Sequence, residues 1–386
     1  MEFDLTEEHR LIQTTVKDFA AKEITPVAAR LDQEARFPSE IISRAAALGL
    51  MGVMVPEEYG GARMDGVANV IVQEELARAS AGVQVIVSVS NSLVCDPILR
   101  FGTAEQKRRY LPALAEGRSL GCYCLTEPSA GSDAMALETR ADLRGGEWVL
   151  SGRKLFVTNG VEADLCIVYA RSEEAPGARG LSAFLVEKSF PGIAVGNVEH
   201  KLGIRCSSTS EILLDDCRVP AENLLGGRGE GGRIALATLD GGRIGIAAQA
   251  VGLARAALEE TSAHVKERWV FGRPLSEFQA TQWALADMAT RVDASRLLAY
   301  RAAWLRDRGE RCTREAATAK LIASETAMWA THRAVQLFGG YGYIQEYPVE
   351  RYFRDAKITE IYEGTSEILR LVLSRDLIGS RGSTPR

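Results

Sequence analysis

Glu147-Trp148-Val149-Leu150, Lys154-Leu155-Phe156-Val157-Thr158, Leu165-Cys166-Ile167-Val168-Tyr169, Leu181-Ser182-Ala183-Phe184-Leu185-Val186 and Glu211-Ile212-Leu213-Leu214 are short runs rich in β-branched and aromatic residues. Gly, Pro and Asn turns separate them, which is the pattern of successive strands. They decide the fold because they interrupt a chain that is otherwise helical. From Thr6 to about Gly121 apolar residues recur at spacings of three and four, with stop signals between segments. Phe37-Pro38-Ser39-Glu40 starts one helix and Gly49 ends it, and a second follows Pro56-Glu57-Glu58-Tyr59-Gly60-Gly61. A third holds the uncharged run Ala79 to Cys95, and Thr103-Ala104-Glu105-Gln106 opens a fourth with a capping-type start. From about Gly232 the helical period returns and persists to Ile378, before a polar tail, Ser380 to Arg386, that reads as frayed. The order is helices, strands, helices, without βαβ alternation. This predicts an α+β fold, mainly α, with a helical domain over 1–120, a central antiparallel β domain over 121–231 and a helical domain over 232–386.

The composition fits that reading. A chain of 386 residues with 46% hydrophobic and 25% charged residues is an ordinary globular one, neither disordered, collagenous nor coiled-coil. Lys+Arg 46 against Asp+Glu 51 gives a net charge of -5, so nothing draws the chain to a phosphate backbone or an anionic membrane. Nucleic acid is not an expected partner. The 7 cysteines are scattered from Cys95 to Cys312 and point to a reducing compartment rather than a disulfide framework. The start, Met1-Glu2-Phe3-Asp4-Leu5-Thr6-Glu7-Glu8, is acidic and lacks the basic and apolar regions of a signal peptide, so a cytoplasmic location is expected. The run Ala79 to Cys95 approaches membrane length but carries Ser80, Gln84, Ser88, Ser90, Asn91 and Ser92, which suits a buried helix better than a bilayer span.

Two glycine-rich motifs fail in context. Gly117-Arg118-Ser119-Leu120-Gly121 matches a nucleophile elbow, but the helix precedes the serine and the strand follows it, so it reads as a helix-to-strand turn. Gly227-Arg228-Gly229-Glu230-Gly231-Gly232 matches the dinucleotide fingerprint without the βαβ unit that fingerprint needs, and reads as an interdomain loop. His9, His200, His264 and His332 have no metal-ligand spacing, so no metal is expected.

Three other segments form a constellation. Leu125-Thr126-Glu127-Pro128-Ser129-Ala130-Gly131-Ser132-Asp133, at the entrance of the β domain, is either an ordinary turn or a loop offering N–H and O–H donors to an anionic or heteroaromatic ligand. Phe156 and, two residues on, Thr158 fall on one side of a strand, where they could stack on and hydrogen-bond a flat ring; the alternative is a plain strand ending in an Asn-Gly turn. In Leu239-Asp240-Gly241-Gly242-Arg243-Ile244-Gly245 three glycines sit in a helical pattern, each costing roughly 1 kcal/mol against alanine. Something approaches closely there, either a ligand or another helix. Asp240 and Arg243, at i and i+3, fall on one face, and the plain alternative to a ligand-facing role is a local ion pair. Glu363 stands before a glycine and a helix start capped by Thr365 or Ser366, a good place for a base, although a capping or surface role is the default for a single glutamate.

With these segments in this order, the sequence resembles the acyl-CoA dehydrogenase family, its short-chain, butyryl-type branch most of all. The resemblance also rests on Pro56 to Gly61, Ser88 to Phe101, Lys201-Leu202-Gly203-Ile204-Arg205, Arg268-Trp269-Val270-Phe271-Gly272 and Glu350 to Ile368, and so spans almost the whole chain. It implies an N-terminal helical domain, a central β domain and a C-terminal four-helix bundle around one FAD per subunit. It implies fatty-acid β-oxidation chemistry, in which Glu363 removes the α-proton of a short-chain acyl-CoA, a hydride leaves the β-carbon for flavin N5 and trans-2-enoyl-CoA forms. Tyr123, Cys124, Leu125, Thr126, Ser132, Phe156, Val157 and Thr158 are implied at the FAD, with Thr365 and Glu367. Phe271 is implied as an FAD contact too, and Arg268, Gln279, Gln336, Gly339 and Gly340 as contacts reaching the cofactor of a neighbouring subunit. Ser132, Asp240, Arg243 and Gly364 are implied at the substrate. A homotetramer and electron-transfer flavoprotein as electron acceptor complete the picture. Phe156 stands where the family usually has tryptophan, which bears on flavin affinity and redox tuning. Competing readings are a branched- or medium-chain enzyme, an acyl-CoA oxidase, and a non-catalytic scaffold of the same fold.

Overall fold

The computed structural model describes residues 4–379, and the polar tail lies outside them. Helix α1 (Glu7–Phe19) is capped by Thr6, whose hydroxyl accepts from the His9 N–H at 3.2 Å. Short α2 (Ala28–Gln33) and α3 (Ser39–Ala47) follow, and Gly49, in the left-handed region at φ 75°, turns the chain after α3. Helix α4 (Gly66–Ala79) is buried around most of its surface. Ser80 breaks it and caps α5 (Ala81–Ser88), which continues through a π-helical stretch (Val89–Cys95) into α6 (Asp96–Phe101). The continuous helix Ala81–Phe101 is long and apolar enough to cross a membrane, but 89% of its most apolar window is buried inside the protein. Helix α7 (Ala104–Ala115) begins with the expected capping box, Thr103 with Gln106.

The strands are β1 (Gly121–Cys124), β2 (Arg140–Arg144), β3 (Glu147–Thr158), β4 (Leu165–Arg171), β5 (Leu181–Glu187), β6 (Ile193–Val198), β7 (Thr209–Pro220) and β8 (Leu224–Leu225). They form one 8-stranded sheet in the order β6-β7-β3-β2-β4-β5-β8, with β1 on β4. The sheet is mixed, not antiparallel as the sequence suggested: β1 runs parallel to β4, Gly121 opposite Leu165. Parallel neighbours need a long crossover, and the 125–139 loop with the β2–β3 hairpin supplies it. The runs 147–150 and 154–158 are one strand, bent where register slips near Gly152 and again between Lys154 and Val157. Gly152, at φ 153°, has no room for a side chain, since a Cβ would lie 2.5 Å from Thr139 Oγ1.

Helix α8 (Gly231–Glu267) leaves the 227–232 loop and is followed by a small hairpin, β9 (Trp269–Val270) with β10 (Arg273–Pro274). Then come α9 (Gln279–Asp307), α10 (Thr313–Phe338), α11 (Val349–Ala356) and α12 (Ser366–Ile378). The inner faces of α8–α11 share one core with α5, α7 and one face of β4 and β5, α12 packs its Leu369 on Ala317 and Leu321 of α10, and the other sheet face closes a further core around Trp148, Cys166 and Phe184. Buried ion pairs tie the two helical regions together: Glu74 and Glu75 on α4 accept from Arg255 on α8 at 3.0 and 2.7 Å, and Glu74 from Arg296 on α9 at 2.9 Å.

Candidate active site

A cavity of about 750 Å³ opens where the β domain meets the helices. Its walls are the 125–135 loop, the end of β3, the helix face carrying Val85, Val89 and Leu93, the start of α8, the 362–364 loop and α12.

On the β side, Tyr123, Leu125, Thr126, Ser132, Phe156 and Thr158 line it. Phe156 sits at φ 55°, and the residue is 62% exposed. Thr158, two residues on, lines the same cavity, and the register slips between Lys154 and Val157, just before it. Cys124 and Val157, by contrast, are packed with their side chains in the core on the other sheet face, where Cys122, Cys124 and Cys166 bring their sulfurs together. Pleating sends alternate side chains to opposite faces, so these two residues could meet a ligand only through their backbone.

The loop is held by a pair that the sequence reading passed over. Lys154, fully buried, donates to Glu127 Oε1 at 2.6 Å and to the Leu125 carbonyl at 3.3 Å. Glu127 also accepts from the Glu138 N–H at 2.6 Å, and the Leu155 N–H donates to the Thr126 carbonyl at 2.8 Å. Burial alone would raise the Glu127 pKa, but the Lys154 charge and these hydrogen bonds bring it below the ordinary value. A Thr-Glu-Pro turn followed by a strand lysine facing inward was the available signal.

On the helical side, Glu363 reaches the cavity from a turn in which it has φ 54° and Gly364 φ 104°. Thr365 caps α12 with its hydroxyl on the Ile368 N–H at 3.3 Å. Glu363 Oε2 is enclosed and has no hydrogen-bond partner among the described residues. Desolvation pushes its pKa up to about 7, against the charges of Lys320 and Arg243. Two cations hold the turn: Arg243 Nε approaches the Glu363 carbonyl at 3.4 Å and Lys320 Nζ donates to the Gly364 carbonyl at 2.7 Å. The glycines of α8 answer to side chains: Gly242 faces the Glu363 carboxylate, Gly241 the Arg306 guanidinium and Gly245 Ser88 Oγ.

Arg243 lines the cavity and pairs with Asp240 at 3.0 Å, but Asp240 faces a neighbouring pocket of about 490 Å³ with Arg306 and Thr313. Glu367 is exposed and does not line the cavity. Arg268, Phe271, Gln279, Gln336, Gly339 and Gly340 lie away from the cavity, exposed around the β9–β10 hairpin, the start of α9 and the end of α10. Phe271 is 96% exposed and Arg268 stacks over Tyr341 at 5.3 Å.

Models of the N-terminal, middle and C-terminal domains of acyl-CoA dehydrogenases match residues 6–118, 122–217 and 229–378. The chain belongs to the acyl-CoA dehydrogenase family. It is 49% identical over 374 residues to the short-chain specific acyl-CoA dehydrogenase of Clostridium acetobutylicum, covering 97% of this chain and 99% of that protein. Butyryl-CoA dehydrogenase from Megasphaera elsdenii superposes with TM-score 0.96 at 43% identity, over 98% of this chain and 100% of that one. A solved chain from work on the electron transferring flavoprotein of Acidaminococcus fermentans superposes with TM-score 0.97 at 46% identity, over 98% and 100% of the two chains. As an acyl-CoA dehydrogenase the protein is an oxidoreductase acting on the CH–CH bond of an acyl-CoA, with FAD as cofactor. The cavity fits that cofactor's ring: an open phenyl face at Phe156, hydroxyls at Thr126 and Thr158, and a partnerless carboxylate lining the same cavity.

Proposed function

We propose that the protein dehydrogenates short-chain acyl-CoA thioesters to trans-2-enoyl-CoA, with Glu363 as the base that takes the α-proton. The observation that carries this reading is the enclosed, partnerless Glu363 Oε2, whose pKa of about 7 suits proton abstraction near neutrality. A base working near its own pKa contributes roughly 10²–10⁴ in rate. Bound FAD supplies the hydride acceptor, at N5, that no side chain can provide.

The chain's own residues do the rest. Thr126, Thr158 and Phe156 bind the flavin ring, Ser132 and Arg243 face the acyl-CoA, and the backbone N–H of Glu363 donates to the thioester oxygen as enolate charge develops. Loss of one such donor in comparable sites costs about 2.7–4 kcal/mol. Val85, Val89, Leu93 and Leu239 exclude water from the acyl chain. Tyr362 beside the base hydrogen-bonds Gln249, which donates to the Ala81 carbonyl at 3.1 Å, a braced wall that suits a short chain. The exposed cluster Arg268, Phe271, Gln279, Gln336, Gly339 and Gly340 serves a neighbouring subunit's FAD in a homotetramer, and electron-transfer flavoprotein takes the electrons.

The test is an anaerobic visible spectrum of the FAD-loaded protein before and after butyryl-CoA, then longer and branched acyl-CoAs. The flavin band should bleach most readily with butyryl-CoA, and Glu363→Gln should hold FAD without bleaching. Normal bleaching by that variant would remove Glu363 from the role of base.

A further inference from the structure

Among the described residues two lysines are fully buried, Lys154 and Lys320, and their surroundings differ. Lys154 has Glu127 at 2.6 Å, an ion pair that offsets the cost of burying its charge. Lys320, from the first third of α10, has no such pair among the described residues. Its hydrogen bond there goes to a neutral group, the Gly364 carbonyl, at 2.7 Å. A buried ammonium without a carboxylate in contact is costly to the fold. A leucine or methionine would fill the same space without that cost.

What lies around Lys320 gives its charge a use. Gly364 is the second residue of the left-handed turn that presents Glu363. Each such turn residue other than glycine stores about 1–3 kcal/mol of strain and persists only when neighbours hold it. Lys320 from α10 and Arg243 from α8 hold the two successive carbonyls of that turn. We propose that Lys320 is a positioning residue for the catalytic base: it pins the Glu363-Gly364 turn through the Gly364 carbonyl and supplies the Glu363 carboxylate with a nearby buried positive charge. This rests on the reading of Glu363 as the base.

The charged and titratable groups around the base are few. Lys320 from α10 and Arg243 from α8 both favour the carboxylate form, and Lys320 is the larger influence. Tyr123 from β1 and Tyr362 beside Glu363 are neutral, their phenols pushed well up by burial, and Arg375 from α12 lines the same cavity. Lys320 itself is lowered to about 8 by desolvation, with Glu363, and less so Glu360 and Glu367, working against that and Arg243 adding to it. Near pH 7 Lys320 is therefore still largely charged. A neutral residue in its place leaves Arg243 as the main opposing charge, and an opposite charge at close range is worth roughly 1–3 pKa units.

The experiment compares the parent with Lys320→Met, and with Lys320→Gln, which keeps a donor for the Gly364 carbonyl but no charge. Both are loaded with FAD and assayed with butyryl-CoA from pH 5.5 to 9. The acid limb of kcat/KM should move up by about one unit or more in both variants. At pH 7 this is a rate loss of about fivefold, from half-ionised to about one-eleventh ionised base. A second readout does not involve turnover. The difference in melting temperature between Glu363 and Glu363→Gln forms, followed against pH, should level off about one unit higher in the Lys320→Met background.

A parent acid limb that the Glu363→Gln change leaves in place would overturn the base reading itself. A limb that disappears in Glu363→Gln but stays put in folded Lys320→Met and Lys320→Gln would overturn only the role of Lys320. Failure of both lysine variants to fold would also overturn it, since the lysine would then serve the fold rather than the base.

Discussion

The Glu363 carboxylate occupies the space that a side chain on Gly242 would need. A Cβ built on Gly242 would run into Glu363 Oε2 and lie 2.8 Å from both Glu363 Cδ and Leu93 Cδ2. The helical backbone of α8 is thus one wall of the seat in which the carboxylate rests. Gly242→Ala should preserve the helix, where alanine is favoured by about 1 kcal/mol, yet displace the carboxylate. Misplacement of a reacting group by about 1 Å can cost 10²-fold in rate. The expected outcome is FAD content like the parent's with kcat/KM down by about that factor, read by stopped-flow bleaching with butyryl-CoA. An unchanged rate would mean that the carboxylate swings elsewhere to work.

Enclosure of Glu363 has a measurable effect on stability. An unfolded glutamate titrates near 4.5 and the folded one near about 7, so between those values the folded state holds more protons than the unfolded state. Stability must then fall as pH rises through that window. Glu363→Gln removes this dependence. The variant should melt at a higher temperature than the parent at pH 8, by on the order of 2–3 kcal/mol, with the difference shrinking toward pH 4.5. Differential scanning calorimetry on both FAD-loaded proteins checks it, and an equal gap at pH 5 and pH 8 would contradict the enclosed carboxylate.

The Lys154–Glu127 pair makes the opposite prediction in sign. Glu127 is held below its ordinary pKa, so its contribution is present above the unfolded value near 4.5 and fades as pH falls through the folded one. Lys154→Met strands a buried carboxylate and releases the carbonyl of Leu125. Breaking such a pair from one side costs about 3–5 kcal/mol. The variant should lose that much in urea unfolding and release FAD more readily, because the pair anchors the loop that carries Thr126. A stability change below about 1 kcal/mol would mean the pair is replaced by solvent without consequence.

Much of this architecture is legible in the sequence, for reasons that differ by element. Helix starts such as Thr103 with Gln106 are written in local chemistry, and so is the turn at Gly49. The parallel placement of β1 on β4 is a long-range choice that no local pattern in Gly121–Cys124 records. Phe156 and Thr158, grouped by strand alternation, line one cavity, whereas the bulge and the positive φ at Phe156 depend on the register against β7, which the strand's own residues do not record. The glycines at 241, 242 and 245 were visible as a cost in a helix, but their cause lies in Arg306, Glu363 and Ser88, far away in sequence. Lys154 and Lys320 were invisible because a lysine reads as surface until its burial is known.

Phe156 offers the last test, at a position where the resemblance implies tryptophan. The residue is 62% exposed at the cavity wall, and its backbone sits at φ 55° where the strand's register slips. A larger aromatic therefore meets no enclosed pocket, and Phe156→Trp should fold like the parent. Aromatic stacking is worth about 0.5–1.5 kcal/mol beyond area burial. FAD affinity should therefore be equal or somewhat higher in Phe156→Trp, and in Phe156→Ala, which loses the stack and the buried ring area, about tenfold or more lower. Titration of FAD into each apoprotein, followed by quenching of flavin fluorescence, measures both. Equal affinity in the alanine variant would show that Thr126, Thr158 and the loop hold the flavin without the ring, and that residue 156 is free to vary for reasons of redox tuning alone.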